Sequence, residues 1–282
     1  MSRVQQQDRL CLAFSFKNPK MSTPNAWNLA ASSLADVKAA PKPNVVVLPL
    51  GATEPHNLHL PYGTDTYQVV TLGERACQKA SGQGAGVWML PPIPFGTETN
   101  LMDFPMTINL NPSTMGKIVG DVIESLDRHG VKKLVLLNGH GGNDLKWILR
   151  EWYGRTGVQI FICHWFRMIG DIRKDVLDCL EGDHADELET SMMLHLRPDL
   201  VTMDKADAGT MRAPIFEALK RGWVEYSRPW EVLTTNSGAG DPRQSTADKG
   251  NTIAEAFVDR FSTFLVELSQ AEVDANFPLE AQ

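Results

Sequence analysis

Hydrophobic positions along this chain switch between two periods. Val45-Val46-Val47-Leu48 is a continuous, β-branched run of the kind buried on both faces of a parallel sheet, and Val87–Leu90, Lys133–Leu137 and Val158–Cys163 read as three further strands. Between them the spacing turns helical. Tyr67 to Ala80 forms one helix, with Thr64 or Asp65 as its candidate cap and the glycine-rich stretch from Ser81 to Gly86 as its end. Met115, Ile118, Val119, Val122, Ile123 and Leu126 share a helical face behind Asn111 as cap and Pro112 at the first position, and Gly130 stops that helix. Leu145, Ile148, Leu149 and Trp152 mark a helix after the third strand, and Ile253, Phe257, Phe261, Phe264, Leu265 and Leu268 mark the closing one. This alternation predicts the α/β class, as a three-layer α/β/α sandwich with a mainly parallel central sheet.

The pattern loosens in three places. Residues 93–111 form a long irregular segment that contains Glu98, and loops of that length usually line a site. Residues 164–180 read as irregular or helical, and 201–243 as broken, with Trp223, Trp230 and the turn Ser237-Gly238-Ala239-Gly240-Asp241-Pro242. Residues 26–282 are read as a single domain. Residues 1–25 are read as a disordered N-terminal extension, in which Met21 offers a second start.

Composition narrows the partners. With 43% hydrophobic residues, the 282-residue chain can bury one sizeable core. A formal charge of -7 argues against nucleic acid or an anionic membrane, so a small-molecule substrate is expected. Cys11, Cys77, Cys163 and Cys179 include no CxxC pair and read as thiols of a reducing compartment, the cytoplasm. The apolar stretch Leu10–Phe16 lacks a small-residue cleavage site, and no run is long enough to span a bilayer.

Candidate chemistry collects where strands end. The loop after the first strand carries Glu54, His56, His59 and Asp65 with no basic residue among them. The third strand runs into Asn138-Gly139-His140-Gly141-Gly142-Asn143, which places His140 at the carboxyl edge of the sheet, and Glu189 stands at a later helix start. Glu54, His56, Asp65, His140 and Glu189 are one donor too many for a closed tetrahedral site but suit two divalent ions about 3.5–4 Å apart, with Asp65 as the natural bridge. Each also has a plainer reading: Glu54 as an exposed loop acid, His56 or His59 bonded to backbone, Asp65 as a helix cap, Glu189 as a solvated helix acid. Glu187 needs to do no more than oppose the helix dipole. His129 and His195 suit helix positions, and His164 is open. The GHGGN segment lacks the lysine and hydroxyl of a P-loop.

The segments GATEPHNLHLPYGTD, LNGHGGN and HADELETS, in this order and spacing, resemble the creatininase (creatinine amidohydrolase-like) family. Phe104-Pro105-Met106-Thr107 and the 237–242 turn look like family segments too, so the resemblance runs from about residue 40 to 268. It implies an α/β/α fold and a binuclear site for zinc or manganese. Glu54, Asp65 and His140 would hold one ion, and His56 with the bridging Asp65 the other. Creatininase carries a ligating glutamate where this chain has Gly142, and Glu189 is its expected substitute. His184 matches the catalytic proton carrier. No tryptophan occurs between Val176 and Asp183, where creatininase has one over its substrate, so creatinine itself is not the expected substrate. Pro55 and Asn57 replace the usual glutamine and glycine, which is expected to alter the loop's shape. The activity implied is metal-dependent hydrolysis of a non-peptide C–N bond in a small cyclic amide or formamide. The alternatives are a peptidase-like member acting on a modified peptide and a non-catalytic metal-binding protein. A homo-oligomer is implied as well, hexamers occurring among relatives.

Overall fold

The structure is a computed structural model that describes residues 27–280; the extension read at residues 1–25 lies outside the described residues. Strands β1 (Val45–Leu50), β2 (Val87–Met89), β3 (Lys133–Asn138) and β4 (Gln159–His164) form a four-stranded, all-parallel sheet in the order β2-β1-β3-β4. The helices are α1 (Leu34–Ala39), α2 (Thr64–Gly82), α3 (Pro112–Arg128), α4 (Lys146–Trp152), α5 (Trp165–Met168), α6 (Gly170–Val176), α7 (Glu187–Leu196), α8 (Glu217–Lys220), α9 (Trp230–Leu233) and α10 (Ala247–Gln270).

Successive strand side chains point to opposite faces, and here both faces are covered. Val45, Val47, Val135 and Leu137 pack with Val69 and Leu72 of α2, Met192 of α7 and Phe257 and Phe261 of α10. Val46, Leu48, Leu50, Leu134 and Leu136 pack instead with Met115, Val119 and Ile123 of α3 and Ile148 of α4. The three-layer sandwich is therefore present as the alternation predicts. No helix among the described residues is long and apolar enough to cross a membrane.

Strand ends differ from the sequence reading for local reasons. β1 continues past Leu48 through Pro49, although proline cannot donate to a ladder. The Pro49 carbonyl accepts from Ile93 on the side where β2 has already ended, so the missing N–H faces no paired strand. β2 stops at Met89 rather than Leu90, ahead of Pro91-Pro92, while β3 and β4 each run one residue further than expected. Residues 164–180 contain the short helices α5 and α6, and 201–243 hold only single turns such as α8 and α9.

Two capping assignments also change. α2 begins at Thr64, with Gly63 at the cap and no side-chain cap bond; Thr64 Oγ1 donates to the Pro61 carbonyl instead. Asp65 thus sits inside the first turn with its carboxylate free for another task. Asn111 holds the cap position of α3, but its Oδ1 accepts from Asn109 Nδ2 rather than from the helix.

Glu187, expected merely to oppose a dipole, is fully buried and ties three segments together. Its carboxylate accepts from the Cys179 N–H at 2.6 Å, from the Asp178 N–H at 3.3 Å, and from Lys249 Nζ of α10. Removing one partner of such a pair strands a buried charge. Lys249→Met should cost about 3 kcal/mol, the low end of the usual range because the lysine is 18% exposed, and urea unfolding measures it.

Candidate functional site

Because every strand points the same way, the segments following β1 and β3 leave one edge of the sheet, and α2 and α7 start beside them. The structure brings the six side chains singled out above together at that edge. Glu54, His56, Asp65, His140 and His184 are each at most 6% exposed, and Glu189 is 13% exposed at its side chain.

Asp65 is the centre of the group. Its Oδ1 lies 2.9 Å from His56 Nε2 and its Oδ2 3.0 Å from His140 Nδ1, so one carboxylate faces two imidazoles with its two oxygens. Glu54 Oε1 stands 2.9 Å from His140 Nδ1, and Glu189 Oε2 stands 3.7 Å from His56 Nε2. Two donor triads share Asp65: Glu54, Asp65 and His140 on one side, His56, Asp65 and Glu189 on the other. A third set, Glu54, His56 and His184, shares Glu54 with one triad and His56 with the other.

Backbone contacts aim the rings. His56 Nδ1–H donates to the Glu54 carbonyl at 3.1 Å, which turns Nε2 toward Asp65. His184 Nε2–H donates to the Pro55 carbonyl at 2.8 Å, leaving Nδ1, 3.7 Å from Glu54 Oε1, on the side of the donor group. Ala185, next in the chain, is held in the left-handed region at φ 50°, a conformation that costs an alanine about 1 kcal/mol and is tolerated where the surroundings enforce it. Its N–H donates to Glu189 Oε2 at 2.6 Å, and Asp186 caps α7 through the Glu189 N–H. One tight turn therefore sets both His184 and Glu189.

The electrostatics are those of crowded acids. Burial pushes the Glu54 carboxyl well above its ordinary value, and burial likewise brings Glu189 up to about 8. Burial disfavours a charged His56, but the carboxylates of Asp65, Glu189 and Glu54 outweigh it and carry His56 up to about 10. His140 moves up by the same balance, with Glu54 as the largest attractive charge. Asp65, flanked by the two imidazoles, stays well below the usual carboxylate range despite its burial. His184 goes the other way: burial and the neighbouring His56 hold it well below the ordinary imidazole value.

These residues form donor groups that could hold divalent metal. Glu54 Oε1 and Oε2 and Asp65 Oδ2 are buried without an aligned hydrogen-bond donor, an arrangement that costs several kcal/mol unless a cation faces it. Imidazole and carboxylate donors without thiolate suit borderline to hard divalent metals, zinc and manganese among them. The group opens onto a cavity of about 1010 Å³, lined by Glu54, His140, His184 and Glu189 together with Trp165 and Trp230.

Sequence reasoning left some neighbours out. Glu98, from the long 93–111 segment, is fully buried 3.0 Å from His140 Nε2, and no periodic signal could have flagged it. Trp230 comes from the broken region and packs edge-on against the His184 ring with centroids 5.0 Å apart, itself covered by Arg228. His59 is buried but stands aside from the donor group, its Nε2 2.8 Å from the Thr190 hydroxyl. Asn57 takes the left-handed conformation that glycine favours, at φ 54°, so the exchange of glycine for asparagine is accommodated in the loop.

The chain is similar to several known proteins. The mycofactocin precursor peptide peptidase of Mycobacterium ulcerans (strain Agy99) is 32% identical over 225 residues, 76% of this chain and 81% of that protein. A Bacteroides fragilis protein assigned as a creatinine amidohydrolase superposes with a TM-score of 0.83 at 32% identity, covering 90% of this chain and 100% of that one. Creatininase in a manganese form (TM-score 0.70, 22% identity) and a mutant in a zinc–zinc form (0.68, 23%) share the fold over 87% of this chain and over 100% and 99% of theirs. The family described as creatininase, creatinine amidohydrolase, matches residues 30–265. With that match covering both flanks of the sheet and all three site segments, the chain belongs to the creatininase family.

Proposed function

We propose that this chain is a metal-dependent hydrolase of a non-peptide C–N bond in a small cyclic amide or formamide, in which Glu54, His56, Asp65, His140 and Glu189 hold two divalent cations, zinc or manganese, and His184 carries protons. The observation that supports this most is the placement of Asp65, with one oxygen toward each of two histidines, in a buried acidic group beside a cavity. When bound, such a pair of ions supplies an acidified water, its pKa brought from 15.7 to roughly 7, and polarises the amide carbonyl.

The protein's own groups do the rest. Glu54 and Asp65 on one side and Asp65 and Glu189 on the other bring negative charge that two dications would neutralise. His184, held uncharged by its surroundings, can take a proton at Nδ1 and deliver it to the departing nitrogen, which would otherwise leave as a poor amide anion. Its Nε2–H stays on the Pro55 carbonyl throughout, so the ring keeps its orientation. Trp230 covers one edge of that ring and limits the water reaching it. We propose in addition that the chain works in the cytoplasm, in keeping with cysteines that form no CxxC pair, and as a homo-oligomer, in keeping with its family resemblance.

A second reading has an observation of its own. The cavity of about 1010 Å³ lies at the top of the range of roughly 300–1,000 Å³ usual for ligand pockets, more than one small ring fills. A longer substrate, such as the end of a modified peptide, would use that space, and the Mycobacterium ulcerans relative carries a peptidase's name. Kinetics on zinc- and manganese-loaded protein with lactams, ureides, formamides and short modified peptides separates the two. Turnover confined to the small amides supports the first reading and turnover confined to peptides the second. Two bound ions with turnover of neither class would leave a binding protein.

A further inference from the structure

Glu98 is the buried acid that the proposed chemistry does not use. It has no exposed surface, and neither carboxyl oxygen has an aligned hydrogen-bond donor. It does not line the cavity, so it cannot touch a substrate there. Its near neighbour is the far side of His140: Glu98 Oε1 lies 3.0 Å from Nε2, while Nδ1 of the same ring faces Glu54 and Asp65. The Thr97 carbonyl stands 3.3 Å from the same Nε2. Acceptors thus confront both ring nitrogens, and with a cation among Nδ1, Glu54 and Asp65 the tautomer that fits carries its proton on Nε2, toward Glu98 and the Thr97 carbonyl.

The surrounding chain is built to deliver this contact. The Thr97 N–H donates to Asn143 Oδ1 at 3.0 Å and the Glu98 N–H to Asn109 Oδ1 at 2.8 Å, which pins the segment on both sides. Asn143 is anchored in turn by its Nδ2, which donates to Asn138 Oδ1 at 2.9 Å. Two glycines make room. A Cβ on Gly142 would stand 2.3 Å from His140 Nε2 and 2.7 Å from the Thr97 carbonyl, and a Cβ on Gly96 2.7 Å from Glu98 Oε1. Any side chain at either position would wedge the acid and the ring apart.

We infer that Glu98 is a positioning residue for His140: its carboxylate, 3.0 Å from Nε2 and beside the Thr97 carbonyl, holds the Nε2–H on that side so that the ring presents Nδ1 to a divalent cation held with Glu54 and Asp65. This rests on the proposed metal site. Outer acceptors of this kind fix ring orientation and raise ligand basicity, and their loss usually lowers metal affinity about 10–100-fold.

The test titrates the apo protein with Zn²⁺ and with Mn²⁺ by calorimetry, in wild type, Glu98→Ala, Glu98→Met and Glu98→Gln, with circular dichroism confirming the fold of each. Wild type should bind two ions per chain. Glu98→Ala and Glu98→Met should keep that number but bind one of the two ions about 10–100-fold less tightly. Glu98→Gln, whose amide oxygen can still accept, should recover most of the loss. In ¹⁵N-detected spectra of the zinc-loaded protein, the His140 Nε2–H resonance should be shielded from exchange in wild type and Glu98→Gln only, a signature that mere space-filling would not produce. Affinity in Glu98→Met equal to wild type, or a loss in Glu98→Gln as large as in Glu98→Ala, overturns the positioning role; loss of a whole ion in Glu98→Gln makes Glu98 a ligand instead. Absence of metal binding by wild type is a different result and removes the site itself.

Discussion

Asp65→Ala should strip both ions at once. Asp65 belongs to both donor triads that flank it and is the residue whose two oxygens face both histidines, so its loss takes a ligand from each side in a single substitution. It also removes the nearest negative charge from His56, which burial alone would leave uncharged. Metal content measured after dialysis should fall from two ions per chain to near zero. Hydrolysis should fall at least about 10³-fold, because the attacking water returns toward its unassisted pKa. Loss of a single ion alone would leave Asp65 an ordinary ligand, and full metal content with full activity would contradict the bridging role. The backbone should tolerate the change, since alanine suits the first turn of α2 and no cap bond depends on Asp65.

His184→Ala separates proton transfer from metal binding. His184 Nδ1 lies within reach of Glu54, and the group formed with His56 makes it a conceivable third donor. If it carries protons, the variant should keep two ions while kcat drops about 10²–10⁴-fold, the usual contribution of a positioned acid–base, or about 3–5.5 kcal/mol of barrier. The pH profile of kcat should lose its corresponding limb. If metal content falls with activity, His184 is a ligand and the proton carrier must be sought elsewhere around the cavity.

The site was legible in the sequence where its residues sit beside recognisable structure. His140 follows a strand and opens a glycine-rich turn, and Glu54 and His56 follow another, so the rule that parallel sheets bind at their carboxyl edge brings them together. Glu189 was marked by its place at a helix start, and the resemblance then gave it as the substitute for the glutamate missing at Gly142. The layer arrangement was legible for a related reason: the runs from Val45 and Lys133 have no polar face, which requires helices on both sides. Other features depend on tertiary contact alone. Glu98 and Trp230 lie in segments without period, and nothing in their neighbours in sequence says that one meets His140 and the other His184. Glu187 looked like a first-turn acid until α10 brought Lys249 onto it. The apolar run read as the first strand ended at Leu48, and the sequence does not tell that the unpaired side of Pro49 looks past the end of β2. Asp65 illustrates the limit most clearly, since a cap and a bridging ligand want the same residue type at a helix start, and only the start at Thr64 sets the cap reading aside.

The central claim is that three separate segments enclose two cations with Asp65 between them. Diffraction from zinc-loaded crystals, collected on both sides of the zinc absorption edge, tests it directly. Two anomalous peaks about 3.5–4 Å apart, one on each side of the Asp65 carboxylate, are the expected result. A single peak, or peaks away from Asp65, would contradict it.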